Sequence, residues 1–277
     1  MFPTLALAVA LSSALGQSEQ LTISNVRATY GRFGPVRPED EILPFDTYVV
    51  AFNVDGLKAN EEGKILYTMS MRVTNDRGKV VYGLDPQDLE TVNFLGGSTM
   101  PAFGFFYAGT NSPGEYLFEE TVVDRITKSK QTLKRKFKIL PKAFGMIGLT
   151  FSYDPDNRFP APTSGVTGQT IWIHFGVSGF ERDNQRKQPD VVAEMRVLDE
   201  NNKPTLAKPL FQRIKSGIEQ NAEIIPFDLR LPLNRPGKFT VEIRAIDKIG
   251  KKESGEVKLS FPVVVTEQKA TDGKEQK

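Results

Sequence analysis

The sequence predicts an all-β protein built as two tandem antiparallel β-sandwiches related by internal duplication. Three observations carry that expectation. The segment PGEYLFEETVVDRITKSK at Pro113 returns as PGKFTVEIRAIDKIGKK at Pro236, and 236 less 113 sets an offset of 123 residues. The matched segments alternate apolar and polar residues with period two, the mark of half-buried strands. Clusters of Asn, Asp, Pro and Gly separate them, residues that turns select for local hydrogen bonding and backbone freedom.

The repeat runs through most of the chain. Ile23, Val26, Ala28 and Tyr30 fall on Met146, Leu149, Phe151 and Tyr153. DTYVVAFNVDGL from Asp46 falls on QTIWIHFGVSGF from Gln169, and MRVTNDRGKV from Met71 on MRVLDENNKP from Met195 with one residue inserted. The last strands, LKRKFKI from Leu133 and VKLSFPV from Val257, align at 257 less 133, an offset of 124. A period this long is a domain duplication and not a solenoid of short units.

Within each copy the faces can be assigned. Ile171, Ile173, Phe175 and Val177 point one way, with Thr170, Trp172, His174 and Gly176 opposite. Phe239, Val241, Ile243 and Ala245 form another apolar face, as do Val257, Leu259, Phe261 and Val263. Pro262 lies on the outward set, which suits an edge or a strand end because proline donates no ladder hydrogen bond. The segments Asp85 to Thr91 and Pro209 to Gln220 read either as a short helix or as another strand. About seven or eight short strands in each half indicate a sandwich.

Length and composition agree. A chain of 277 residues suits two domains, each able to bury its own core. The expected organisation is a signal peptide over 1–16, a first sandwich over 21–140, a short joint over 141–145, a second sandwich over 146–265 and a disordered polar tail over 266–277. The signal-peptide reading rests on the apolar run Leu5 to Leu15 and on Ala14 and Gly16, small residues at the two positions a signal peptidase reads, with cleavage before Gln17. No later stretch approaches transmembrane length. There is no cysteine, so disulfides, thiol nucleophiles and cysteine-ligated metals are excluded. A formal charge of +2 gives no nucleic-acid footprint. A cysteine-free exported chain fits a bacterial periplasm, cell surface or secreted fraction.

The Pro-Gly-x-Tyr/Phe-x-Phe/Val run resembles the entry to strand F of immunoglobulin-like and fibronectin-type sandwiches, and the chain looks like a bacterial exported protein with tandem domains of this kind. The resemblance implies that Tyr116 and Phe239 take the corner position, that Phe118 and Val241 take the core position filled by cysteine in antibody domains, and that Asp124 and Asp247 open the F–G hairpin. It implies adhesion, spacer or docking roles rather than a chemistry.

Candidate sites are few. His174 is the only histidine, so any Ser-His-Asp triad would need it, yet no G-x-S-x-G elbow is present. It reads as a sheet-surface or sandwich-edge residue. Asp154 to Asn157 and Asp199 to Asn202 offer oxygens that suit either calcium or hairpin turns. Asp124 and Asp247 recur with the repeat, which points to the fold: each is expected to accept a following backbone N–H. Lys134, Lys136 and Lys138 share the outward face of one strand, either guarding an exposed edge or forming an anionic-surface contact. In the same strand Arg135 interrupts the inward set where the second copy has Leu259. Met100 to Tyr107 is dense in aromatics; Phe103 and Phe105, with Trp172, are candidates for glycan stacking or for core packing. The expected function is a non-catalytic extracytoplasmic interaction or spacer module docking to an envelope or secreted protein. The alternative is a glycan or anionic-surface binder using the lysines and aromatics. No cofactor is expected.

Overall fold

The computed structural model describes residues 20–250 and 255–268. In the first half the strands are β1 (Thr22–Thr29), β2 (Glu41–Ile42), β3 (Thr47–Asp55), β4 (Lys64–Asn75), β5 (Val80–Val92), β6 (Thr99–Tyr107), β7 (Gly114–Asp124) and β8 (Lys130–Ile139). In the second they are β9 (Gly145–Ser152), β10 (Ser164–Val166), β11 (Thr170–Ser178), β12 (Val191–Leu198), β13 (Leu210–Ile214), β14 (Ile224–Pro232), β15 (Gly237–Asp247) and β16 (Glu256–Thr266). Of the two segments that sequence left open, Asp85 to Thr91 lies within β5, while only Leu210–Ile214 of Pro209 to Gln220 is strand, as β13. The predicted signal peptide and most of the polar tail lie outside the described residues. No helix among the described residues is long and apolar enough to cross a membrane.

Each half forms a three-stranded and a five-stranded sheet. The first half has the orders β1-β3-β6 and β2-β8-β7-β4-β5, and the second has β9-β11-β14 and β10-β16-β15-β12-β13. Adding eight to each strand number of the first half reproduces the second. This is the immunoglobulin-like arrangement: the first strand divides between the sheets, and the last two strands and the middle hairpin share one of them. The chain is a tandem pair of immunoglobulin-like sandwiches. Pairing is antiparallel except where β2 meets β8 and β10 meets β16, both parallel.

Between the sheets lie two separate cores. The first centres on Tyr48, Phe52, Phe106 and Phe118, the second on Ile171, Ile173, Phe227 and Ile243, all buried. Both copies carry a bulge in their opening strand, at Asn25 with φ 49° and at Gly148 with φ 60°. The corner expected at Tyr116 is made: its hydroxyl donates to Ser112 O at 2.7 Å. Pro262 sits in β16 beyond the reach of β10, so its missing N–H costs no ladder bond.

One alignment needs correction. Gly114 pairs with Ile139, and its counterpart Gly237 pairs with Val265. The final strands therefore correspond at 265 less 139, an offset of 126 and not 124, because the second F–G hairpin is longer. A slip of two residues keeps every side chain on its face, so alternation cannot reveal it. Arg135 thus corresponds to Phe261 and not to Leu259: Arg135 lies opposite Phe118, and Phe261 opposite Val241. The Arg135 guanidinium reaches Asp40 Oδ1 at 2.9 Å and Tyr48 Oη at 3.1 Å, which compensates its partial burial.

Candidate functional site

The three lysines are exposed on β8, alternating with buried Leu133, Phe137 and Ile139. They do not form an unopposed positive stripe. Lys134 Nζ lies 2.7 Å from Glu119, Lys138 Nζ lies 3.9 Å from Glu41, and Glu115 sits across the ladder from Lys138. Lys136 and Lys138 line a shallow groove shared with Glu39, Asp40, Glu41 and Glu115. Nearby opposite charges cancel the field beyond a Debye length, about 8–10 Å at physiological salt.

Phe103 and Phe105 lie on the outer face of β6, in the other sheet of the same sandwich, so they and the lysines look away from each other. Phe103 is half-buried beneath the Arg32 guanidinium, 4.6 Å from its ring centre, and Phe105 is exposed. Both line a cleft of about 220 Å³ at the junction with the second sandwich, together with Val49, Gly148 and Thr150. Trp172 is half-buried on the outer face of β11, across from Arg230, and does not line that cleft. The structure thus pairs Phe103 with Phe105 and separates both from Trp172 and from the lysines.

The junction is built around a buried acid. Asp46 is 2% exposed and accepts Arg37 Nη2 at 2.8 Å, Thr47 N at 2.8 Å and Gly148 N at 2.7 Å. Arg37 in turn stacks over Tyr30, whose side chain packs on the second core. The bulge of the second copy is therefore docked onto a carboxylate of the first. The sequence reading placed only a short joint, 141–145, at this junction.

His174 is not a surface residue; it is 7% exposed. Its Nε2 lies 2.7 Å from Ser152 Oγ and its Nδ1 lies 2.7 Å from Asp228 Oδ1, the connectivity of a Ser-His-Asp triad. The surroundings argue for a structural role. Ser152 is fully buried, so no substrate carbonyl can approach Oγ. Its single hydroxyl proton goes to Asp154 O at 2.5 Å and so not to His174, and its repeat counterpart Thr29 makes the same bond to Gly31 O at 2.8 Å. The hydroxyl belongs to a turn that both copies need, and His174 caps it.

The other polar candidates resolve the same way. Asp124 accepts Ile126 N and Thr127 N with one oxygen and Lys58 N with the other. Asp247 accepts Ile249 N and, with its second oxygen, Glu181 N, the counterpart of Lys58. Each aspartate closes its hairpin, as expected, and also ties it to the loop after β3 or β11. Asp154 accepts Asp156 N, Arg158 N and Phe159 N, which draws its carboxyl below the usual range, and Asp199 accepts Asn201 N and Lys203 N. These oxygens serve turns.

Two features escaped the sequence reading. Glu120 is 2% exposed inside the first core, where burial pushes its pKa up to about 8 and Oε2 has no hydrogen-bond partner. Gly104 on the opposite sheet makes room for it: a Cβ there would collide with Oε2 and with Phe118. The inward set Tyr116, Phe118, Glu120, Val122 and Asp124 was readable from alternation along β7. The second is the rim of the first sandwich. β5 ends its sheet, is 13 residues long and leaves Val80, Tyr82, Leu84, Leu89 and Val92 exposed. The following turn holds Phe94 and Leu95 outward, 88% and 99% exposed, and is itself fixed by Asn93 Nδ2 donating to Gly97 O at 2.8 Å.

Comparison with known proteins adds little beyond this geometry. No protein-family model matches the chain, and no curated protein matches it. Among solved structures, the chain is similar to the C-terminal domain of the Streptococcus agalactiae AgI/II polypeptide BspA, at 8% identity and a TM-score of 0.28 over 88% of this chain and 100% of that one. It is similar to the C-terminal domain of the Streptococcus pyogenes antigen I/II-family protein AspA, at 9% identity and a TM-score of 0.27 over 88% and 99%. Red sea bream transglutaminase matches at 9% identity and a TM-score of 0.27 over 90% of this chain and 31% of that one.

Proposed function

We propose that the chain is a non-catalytic, extracytoplasmic interaction module that docks to another envelope or secreted protein through the β5 rim of the first sandwich. The observation that carries this reading is a long sheet edge with apolar side chains in solvent, continued by Phe94 and Leu95. An exposed edge of this kind is a template for strand pairing that folded proteins normally blunt. Here two register shifts, one between Val80 and Tyr82 and one at Pro86 between Leu84 and Gln87, and the acids Asp85, Asp88 and Glu90 blunt it only in part. The occupant that fits is an extended apolar segment of a partner, adding a strand by main-chain hydrogen bonds while Phe94 and Leu95 enter its surface. The apolar run Leu5 to Leu15 supports the extracytoplasmic placement. The buried Ser152 and the absence of cysteine favour a non-catalytic role, and the neutralised lysines weaken the anionic-surface alternative.

The test is co-sedimentation with isolated bacterial cell envelope at low and high salt. Binding that survives salt and is lost in a Leu84→Lys, Leu89→Lys, Phe94→Ser, Leu95→Ser variant supports the docking rim. Binding that the variant retains overturns it. Salt-sensitive binding lost on Lys134→Glu, Lys136→Glu, Lys138→Glu would return the function to the lysine face. Sedimentation velocity of the chain alone shows whether the occupant is instead a second copy.

A further inference from the structure

The second sandwich contains a cavity of about 630 Å³ at one end of its core, reaching beneath the connection between β12 and β13. That lies within the range of about 300–1,000 Å³ typical of small-molecule sites. The duplication supplies an internal reference for why it is there. In the first sandwich the same region is filled by rings: Phe137 stacks on Tyr48 at 4.3 Å and on Tyr116 at 5.5 Å, with Phe106 at 5.7 Å. The ladders identify each counterpart. Tyr48 pairs with Phe106, and Ile171 with Leu231; Tyr116 pairs with Phe137, and Phe239 with Val263. Phe118 lies across from Val73, and Val241 across from Val197. Thus Ile171, Leu231, Val241 and Val263 stand where the first copy has Tyr48, Phe106, Phe118 and Phe137. Replacing rings by short aliphatic chains on one backbone frame leaves space that the surroundings only partly reclaim.

The cavity walls are apolar and its mouth is cationic. Leu231, Phe239, Val241 and Val263 line the interior, while Leu206 and Leu210 stand exposed at the opening. Arg196, Lys208, Arg230 and Arg235 also belong to the lining, with Thr205 and Asn234 as its uncharged polar members, and no carboxylate does. Among the described residues none of these four cations takes part in an ion pair. The Arg235 guanidinium sits 5.1 Å from the Phe239 ring centre, poised over the corner aromatic. The first sandwich has Phe105 and Ser112 at the positions of Arg230 and Arg235, so the charges arrived together with the space.

We propose that this cavity binds an amphiphile with one apolar chain and one anionic head, a fatty-acid-like carboxylate, with the chain between the sheets and the head among Arg230, Arg235 and Lys208. Aliphatic walls receive the chain without an unsatisfied polar group, and unpaired guanidinium groups supply charge-assisted hydrogen bonds to a carboxylate. This site is independent of the docking rim on the first sandwich.

The test is titration calorimetry of the purified chain with dodecanoate below its micellar range, with acetate and dodecyltrimethylammonium as controls. Saturable binding of one dodecanoate per chain is expected, with no heat from acetate and affinity for the cationic amphiphile lower by about tenfold or more. The Leu231→Phe, Val263→Phe variant, which rebuilds the packing of the first copy, is expected to weaken dodecanoate about tenfold or more while the unfolding midpoint holds or rises. The Arg230→Glu, Arg235→Glu variant alters only exposed side chains and is expected to weaken it similarly at low salt. No dodecanoate binding, equal binding of the cationic amphiphile, or full affinity in the charge-reversed chain would overturn the proposal.

Discussion

Glu120 gives the sharpest test of the structure. The perturbation is Glu120→Gln, which keeps the shape and removes the ionisation. In the folded chain burial raises the pKa of Glu120 from 4.5 to about 8, so the native state holds a proton that the unfolded state releases. Below about pH 4.5 the carboxyl is protonated in both states and contributes no penalty. As the pH climbs toward about 8 the unfolded chain gains by ionising and the native chain does not, so stability falls; above that value both are ionised and the loss is complete. At ~1.4 kcal/mol per pH unit the full loss is roughly 5 kcal/mol, most of it already present at neutral pH. The assay is urea denaturation followed by far-UV circular dichroism at a series of pH values between these limits. Trp172 fluorescence serves as a monitor of the second sandwich. Wild type is expected to lose stability steadily across the window while Glu120→Gln stays several kcal/mol flatter. The slope is the readout, because a buried amide also lacks a partner and lowers absolute stability at every pH. Parallel curves for the two proteins would refute the reasoning.

Other outcomes follow from named contacts. Asp124→Ala strips three backbone N–H groups of their acceptor and is expected to cost about 2–4 kcal/mol, with Asp247→Ala, which strips two, costing somewhat less; calorimetric unfolding measures both. Arg37→Met leaves Asp46 buried without its cation and is expected to destabilise by about 3–5 kcal/mol, whereas Arg37→Met with Asp46→Leu recovers part of that loss in a double-mutant cycle. Tyr116→Phe removes one hydrogen bond and is expected to cost about 1 kcal/mol by urea unfolding, since Phe239 already serves at the equivalent corner. Gly179→Ala places a methyl group against the Ala143 carbonyl at φ 68° and is expected to lower the melting temperature by several degrees, for a cost above about 1 kcal/mol.

The sequence alone determined the fold class, the duplication and the local turns: faces and turns are written in residues close together along the chain, and the duplication in a direct match at an offset of 123 residues. Alternation from Ile171 to Val177 assigns inward and outward faces, and the recurrence of Asp124 as Asp247 assigns the hairpin acceptors. Tyr116 announced its corner through the Pro-Gly that precedes it. What alternation reports is a face and never a partner. The slip of two residues in the last strand, the mate of Arg135 and the isolation of Glu120 from any donor all depend on which strand lies alongside. Likewise Ser152, His174 and Asp228 meet only because β9, β11 and β14 are neighbours. Lys134 and Phe103 look away from each other because β8 and β6 belong to opposite sheets, a fact that no spacing encodes. The cavity was the least legible feature. Leu231, Val241 and Val263 are unremarkable core residues one by one, and they leave a void only because the paired frame, inherited from a common unit, stays as wide as the one that Phe106, Phe118 and Phe137 fill.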